Sequence, residues 1–162
     1  MGCLGVHFAV EAGVVEQLTT AIDDAAKMAI IEAIEEAWDR EWLHDNDKSW
    51  DALHRSLTDG KLEWESGAYP LSHAVLGGIK LYDGDDYIIC LVRHSEVGDV
   101  ATALQSVTRE SLRRGYDLIP ADAYLELGDE DFEYTWESFQ GLPDLFSRAA
   151  TAGRAVIFTA SQ

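Results

Sequence analysis

The chain has 162 residues, 47% hydrophobic and 26% charged, which suits a folded domain large enough to bury its own core. Twelve Lys and Arg against thirty Asp and Glu leave a formal net charge of −18, which disfavours nucleic acid and anionic membrane surfaces. Cys3 and Cys90 lack metal-ligand spacing and give no disulfide framework, so a reducing, cytoplasmic setting is expected.

Gly5 to Val10 is β-branched and aromatic and predicts a first strand, with His7 as a packed or edge residue. Val14, Leu18 and Ile22 recur every four residues and predict a short helix. A longer helix is expected from about Ala25 to Leu43, with Ile30, Ile34, Trp38 and Trp42 on one face. Its other face carries Glu32, Glu35, Glu36 and Asp39, and Glu36 can pair with Arg40.

The segment His44 to Thr58 combines a helix start with ionisable groups. Asp45 or Asp47 is expected to cap the helix, and Trp50, Leu53 and Leu57 form its inward stripe with His54 on or beside it. Asp59-Gly60 ends that helix with a residue suited to a left-handed conformation. Lys61 to Pro70 reads as loop, with a short strand possible at Leu62 to Glu65, and Leu71 to Leu76 is apolar enough to be buried. Ile79 to Tyr82 and Tyr87 to Val92 flank an acidic turn and predict an antiparallel hairpin, with Cys90 as a small core residue.

Ser95 is expected to cap the next helix, whose core face is Val97, Val100, Leu104 and Val107, with a break near Thr108 before Arg109 to Tyr116. A further helix begins near Asp129 and carries Phe132, Trp136 and Phe139, until Gly141-Leu142-Pro143 interrupts it. Ala155 to Phe158 is a continuous apolar run of the kind found in inner strands. Strands at both ends and in the middle, with helices grouped between them, predict a single α+β domain with a small mixed or antiparallel sheet of about four to five strands.

Three segments carry a resemblance: Met1-Gly2-Cys3-Leu4-Gly5-Val6, Asp47-Lys48-Ser49-Trp50-Asp51-Ala52-Leu53-His54, and Pro70-Leu71 with Ala74-Val75-Leu76-Gly77-Gly78. Together with Leu145-Phe146-Ser147-Arg148-Ala149-Ala150 and the closing strand, they resemble the YfbM-like family across essentially the whole chain. The resemblance implies a bacterial α+β protein of a family of unknown function, and it supplies no catalytic residues.

The local chemistry excludes several classes. Asp45, Asp47 and Ser49 alternate like a calcium loop, but Trp50 stands at the required Gly and Ser56 at the final Glu. Asp83-Gly84-Asp85 has Ile88 at its Gly position. There is no phosphate-binding Gly-rich loop, no His-Glu-x-x-His and no Gly-x-Ser-x-Gly. No apolar stretch approaches bilayer length, and Val6 stands where a myristoylation pattern after Met1-Gly2-Cys3 requires Ser or Thr. No metal and no cofactor is expected.

Two candidate sites follow. His44, Asp47 and His54, with Trp50 beside them, could form an acid–base or ligand site; the competing reading makes Asp47 a cap, Trp50 core and His54 a buried, hydrogen-bonded histidine. From Asp117 to Asp144, nine acidic residues occur without Lys or Arg and are interleaved with Tyr124, Phe132, Tyr134, Trp136 and Phe139. Asp129, Glu130, Asp131, Glu133 and Tyr134 could dock a basic protein partner, charge speeding encounter and aromatics anchoring it. Phe132, Trp136 and Phe139 at helical spacing also fit a solvated helix with a core stripe, while Tyr134 lies off that stripe. The two functions that follow are a non-enzymatic acidic binding protein, such as an immunity-type toxin neutraliser, or a small enzyme or metal- or ligand-binding domain built on the His44–His54 segment.

Overall fold

A computed structural model describes residues 3–124 and 126–162; Met1 and Gly2, and with them the lipidation reading, lie outside the described residues. The architecture is α+β, built on an open five-stranded antiparallel sheet. Its strands are β1 (Gly5–Val10), β2 (Leu43–Asp47), β3 (Ile79–Lys80), β4 (Tyr87–Val92) and β5 (Ala155–Ser161), in the order β2-β1-β5-β4-β3. The apolar run near the end of the chain is therefore the central strand, buried from Ala155 to Ala160 as the sequence predicts.

Side chains alternate across the sheet, and each face meets its own helices. Val6, Phe8 and Val10 of β1 share one core with Ile157 of β5 and Ile89 and Leu91 of β4. The helices α1 (Ala12–Thr20) and α2 (Asp24–Ala37) cover that face through Leu18 and Ile31, both fully buried. Burying side chains of this size contributes roughly 1.5–3 kcal/mol each. The opposite face, with Ala9, Phe158 and Cys90, packs against α3 (Trp50–Leu57), α4 (His94–Gln105), α5 (Arg109–Tyr116), α6 (Asp129–Phe139) and α7 (Leu142–Ala152).

Several boundaries differ from the expectation, each for a local reason. Ile22 lies beyond α1 and is 92% exposed, because the chain leaves the helix at Ala21 so that Asp23 can cap α2 by accepting from the Ala26 N–H. The long helix stops at Ala37 rather than Leu43, since Trp38 adopts a left-handed conformation with φ 42° and donates its N–H to the Ile34 carbonyl. Arg40 and Trp42 thus fall outside the helix, and the Trp42 ring lies under the Arg154 guanidinium. Neither Asp45 nor Asp47 caps α3: Asp45 and Asp47 belong to β2, and the N-cap is Ser49 without a side-chain cap bond. Ser95 lies inside α4, whose N-cap is Arg93, and Leu62 to Glu65 forms no strand.

The break at Thr108 is a helix junction. Thr108 and Ser111 form a reciprocal capping box that satisfies the first free N–H groups of α5. Gly115 packs where α5 meets α3: a Cβ there would stand 1.9 Å from the Ser56 carbonyl oxygen. Gly141 starts α7 against the His44 ring. Among the described residues, no helix is long and apolar enough to cross a membrane.

Candidate functional site

Strand β2 is the edge where the candidate residues collect. Its alternation sends Leu43 and Asp45 toward the face covered by α1 and α2, while His44 and Asn46 face the larger helical layer; the register shifts at Gly5/Val6, and Asp47, at φ 49°, accepts from Tyr134 on α6 instead. The Asn46 amide, fully buried, donates to the Gly5 carbonyl at 3.2 Å and to His7 Nδ1 at 2.8 Å. His7 Nε2 therefore carries the proton and donates to the Ala74 carbonyl at 2.6 Å. Burial, followed by the neighbouring His44, holds the His7 pKa down at about 3, so the ring is neutral at ordinary pH. His44 Nε2 bonds the Ser138 carbonyl on α6 at 2.7 Å, and burial also lowers its pKa.

His54 occupies a different position. It is fully buried on α3, and its Nδ1 accepts from the Leu76 N–H at 3.3 Å. Its Nε2 then donates toward the Glu63 carbonyl and lies within reach of Ser66 Oγ, both at 3.1 Å. Burial lowers its pKa as well. Trp50 is buried, and its indole N–H donates to the Cys3 carbonyl at 3.0 Å. His44 and His54 are thus held by different carbonyls on different elements, and Asp47 turns away from both toward Tyr134. Among the described residues, no group of three or more His, Cys, Asp or Glu is placed to hold a metal ion.

Three buried side chains serve one short segment. His7 takes the Ala74 carbonyl, Cys90 Sγ lies 3.4 Å from the Val75 carbonyl, and His54 receives the Leu76 N–H. The same segment continues into Gly77, where a Cβ would stand 2.2 Å from the Ser72 carbonyl, and Gly78, at φ +74°. The histidine of Asp47–His54 and the glycines of Ala74–Gly78 are therefore parts of one packing arrangement. His7 and Asn46 were not legible as a pair, because their spacing of 39 residues gives no local signal.

The acidic helix α6 is cross-linked at its N-terminal half. Asp129 pairs with Arg113 at 2.9 Å, Glu133 pairs with Arg109, and both guanidiniums lie over the Phe132 ring. Asp131 accepts from the hydroxyls of Tyr116 at 2.6 Å and Tyr124 at 3.2 Å. Partial burial and that carboxylate raise the Tyr116 pKa to about 12. Tyr134 donates to Asp47 Oδ2 at 2.7 Å and accepts from the Lys48 N–H, so it joins the two candidate segments. Glu130 is exposed and forms no ion pair among the described residues, and the same is true of Asp122, Glu126 and Glu137.

Residues 1–159 match the family described as Domain of unknown function (DUF1877). The protein YfbM of Escherichia coli (strain K12) is 36% identical over 74 residues, which are 46% of this chain and 44% of that protein. The aligned stretch thus spans less than half the length of this curated relative. The crystal structure of YfbM from Escherichia coli, titled a protein of unknown function, superposes over 97% of this chain and 99% of that one, with a TM-score of 0.68 at 21% identity. At that identity the likeness concerns the fold.

Proposed function

The chain belongs to the DUF1877 family, and we propose that it is a non-enzymatic acidic protein that docks a basic protein partner in the cytoplasm, as an immunity-type protein docks a toxin. The observation that carries this reading is the exposed acidic rim of α6 and the preceding loop: Asp122, Glu126, Glu130 and Glu137 add to a net charge of −18 and are compensated by no ion pair among the described residues. Such a rim accelerates encounter with a cationic surface and excludes anionic ones. The ion pairs of Asp129 and Glu133 are solvent-exposed and individually weak, so an incoming cation can compete for them. The engagement of His44 and His54 with backbone groups supports binding over an acid–base site in the same region.

Capture from a lysate of the source cells tests the reading, with the wild type and Glu126→Lys/Glu130→Lys/Glu137→Lys compared at low and high salt. A basic protein retained stoichiometrically at low salt, released by salt and lost in the variant is the expected result. Equal retention by the reversed variant would overturn it. Asp129, Asp131 and Glu133 are left unaltered because their reversal would break bonds to Arg113, Tyr116, Tyr124 and Arg109.

A further inference from the structure

At the C-terminal end of α2, a cavity of about 380 Å³ lies against the sheet. Val6, Trp38 and Tyr87 line it with apolar and aromatic groups, and Glu35, Asp45 and Asp47 are its acidic lining residues, with Asp45 Oδ1 accepting from the Asp47 N–H and Asp47 Oδ2 from the Tyr134 hydroxyl. None of the three carboxylates forms an ion pair among the described residues. Glu35 is half-buried, accepting from the Tyr87 hydroxyl and from Thr159 Oγ1. Trp38 and Asp47 are also the only non-glycine residues at positive φ among the described residues, 42° and 49°. Trp38 thus takes a backbone region that large side chains rarely adopt, with its ring set edge-on to Phe8 at 6.1 Å.

The protein shows elsewhere what such a combination holds. The Arg154 guanidinium stands 3.8 Å from the centre of the Trp42 ring and 3.3 Å from a Glu11 oxygen. Arg113 lies 5.0 Å over Phe132 and pairs with Asp129 at 2.9 Å. In both places an aromatic face and a carboxylate share one guanidinium, the planar cation that stacks and hydrogen-bonds at once. The cavity brings together Trp38, Tyr87 and three acidic residues in one concave, partly apolar space, where a cation is screened less than on an open surface. An aliphatic stem fits the Val6 wall, and a charged head fits the carboxylates.

We propose that this cavity seats an arginine side chain presented by a basic polypeptide. The inference rests on the binding reading above and gives it an anchor. Tyr134, bonded to Asp47, connects the cavity rim to the acidic helix, so one partner surface could meet both.

The test is a ¹⁵N NMR titration of the full chain at low salt with the peptide acetyl-Gly-Arg-Gly-amide. The reference is the same peptide carrying citrulline, which keeps the shape and loses the charge. Saturable shifts of the Trp38 indole and of the Asp45 and Asp47 amides are expected with the arginine peptide, and about tenfold weaker binding or none with citrulline. Glu35→Gln/Asp45→Asn/Asp47→Asn retains the hydrogen-bond acceptors and removes the charge; it should lower affinity at least about tenfold. Trp38→Gly provides a second variant, since glycine suits the local φ while the indole is lost, and it should weaken binding likewise. Shifts confined to another surface, equal affinity for citrulline, or unchanged affinity in either variant would overturn the proposal. A partner captured by the wild type and lost on α6 reversal, beside a peptide that does not bind, would overturn the cavity assignment and leave the binding reading intact.

Discussion

The Asn46 side chain reaches His7 Nδ1 at 2.8 Å across the β1–β2 pair, and this bond selects the tautomer that donates to Ala74. A buried imidazole with both nitrogens engaged in this way has no space for a second proton. Its folded-state pKa of about 3 lies below the ordinary value of 6.5. Above pH 6.5 the ring is neutral in both states and its contribution is fully present. As the pH falls from 6.5 toward 3, the unfolded chain takes up the proton and the folded one does not, so stability is lost. His44 and His54, also lowered by burial, act in the same direction. Urea unfolding of the wild type and His7→Gln at several pH values between 7.5 and 4 (about) should show a shallower acid decline in the variant, by up to about 1.4 kcal/mol per pH unit. Parallel curves would refute the assignment.

The two cysteines should differ sharply in reactivity. Burial pushes the Cys90 thiol up to about 12, whereas Cys3 is partly exposed. A thiol reagent under native conditions should modify Cys3 alone, and Cys90 should react only after denaturation. Rapid native labelling of Cys90 would contradict its place beside the Val75 carbonyl.

Two glycine substitutions should have opposite signs. Gly98→Ala, on α4 with nothing near the added Cβ, should stabilise by roughly 0.5–1 kcal/mol through a better helical residue. Gly115→Ala places its Cβ on the Ser56 backbone, which cannot swing aside as a side chain could, and should destabilise by about 1–3 kcal/mol or more. Thermal or urea melts of the pair read both values.

Tyr134→Phe removes the hydroxyl that links Asp47 to the acidic helix and should cost about 1 kcal/mol while leaving the fold intact. A larger effect on hydrogen exchange is expected at the Lys48 amide, which loses its acceptor. Unchanged protection there would show that the link does not order the turn between β2 and α3.

Much of this architecture was legible where hydrophobic pattern decides structure. The first strand, the 79–92 hairpin, the inner character of β5, and the faces of α4 and α6 follow from apolar spacing and glycine placement. Strand β2 was not legible, because its inward residues His44 and Asn46 are polar and are satisfied by distant groups on β1 and α6. The end of α2 was missed because a tryptophan takes the left-handed position where glycine is the usual signal. The acidic stretch of α6 was readable as a charge pattern. Its pairing with Arg109 and Arg113 was not, since those partners come from the neighbouring helix.

The position of β5 between β1 and β4 also has a consequence for biosynthesis. On the ribosome, the β2-β1 ribbon and the β4-β3 ribbon emerge well before residues 155–161, the strand that joins them. Until it arrives, both ribbons expose the edges that β5 will pair, and the apolar faces of α4 and α7 lack their floor. A nascent chain of this kind stays exposed to chaperones and proteases until residues 155–161 have been made, and the sheet then closes in one long-range step.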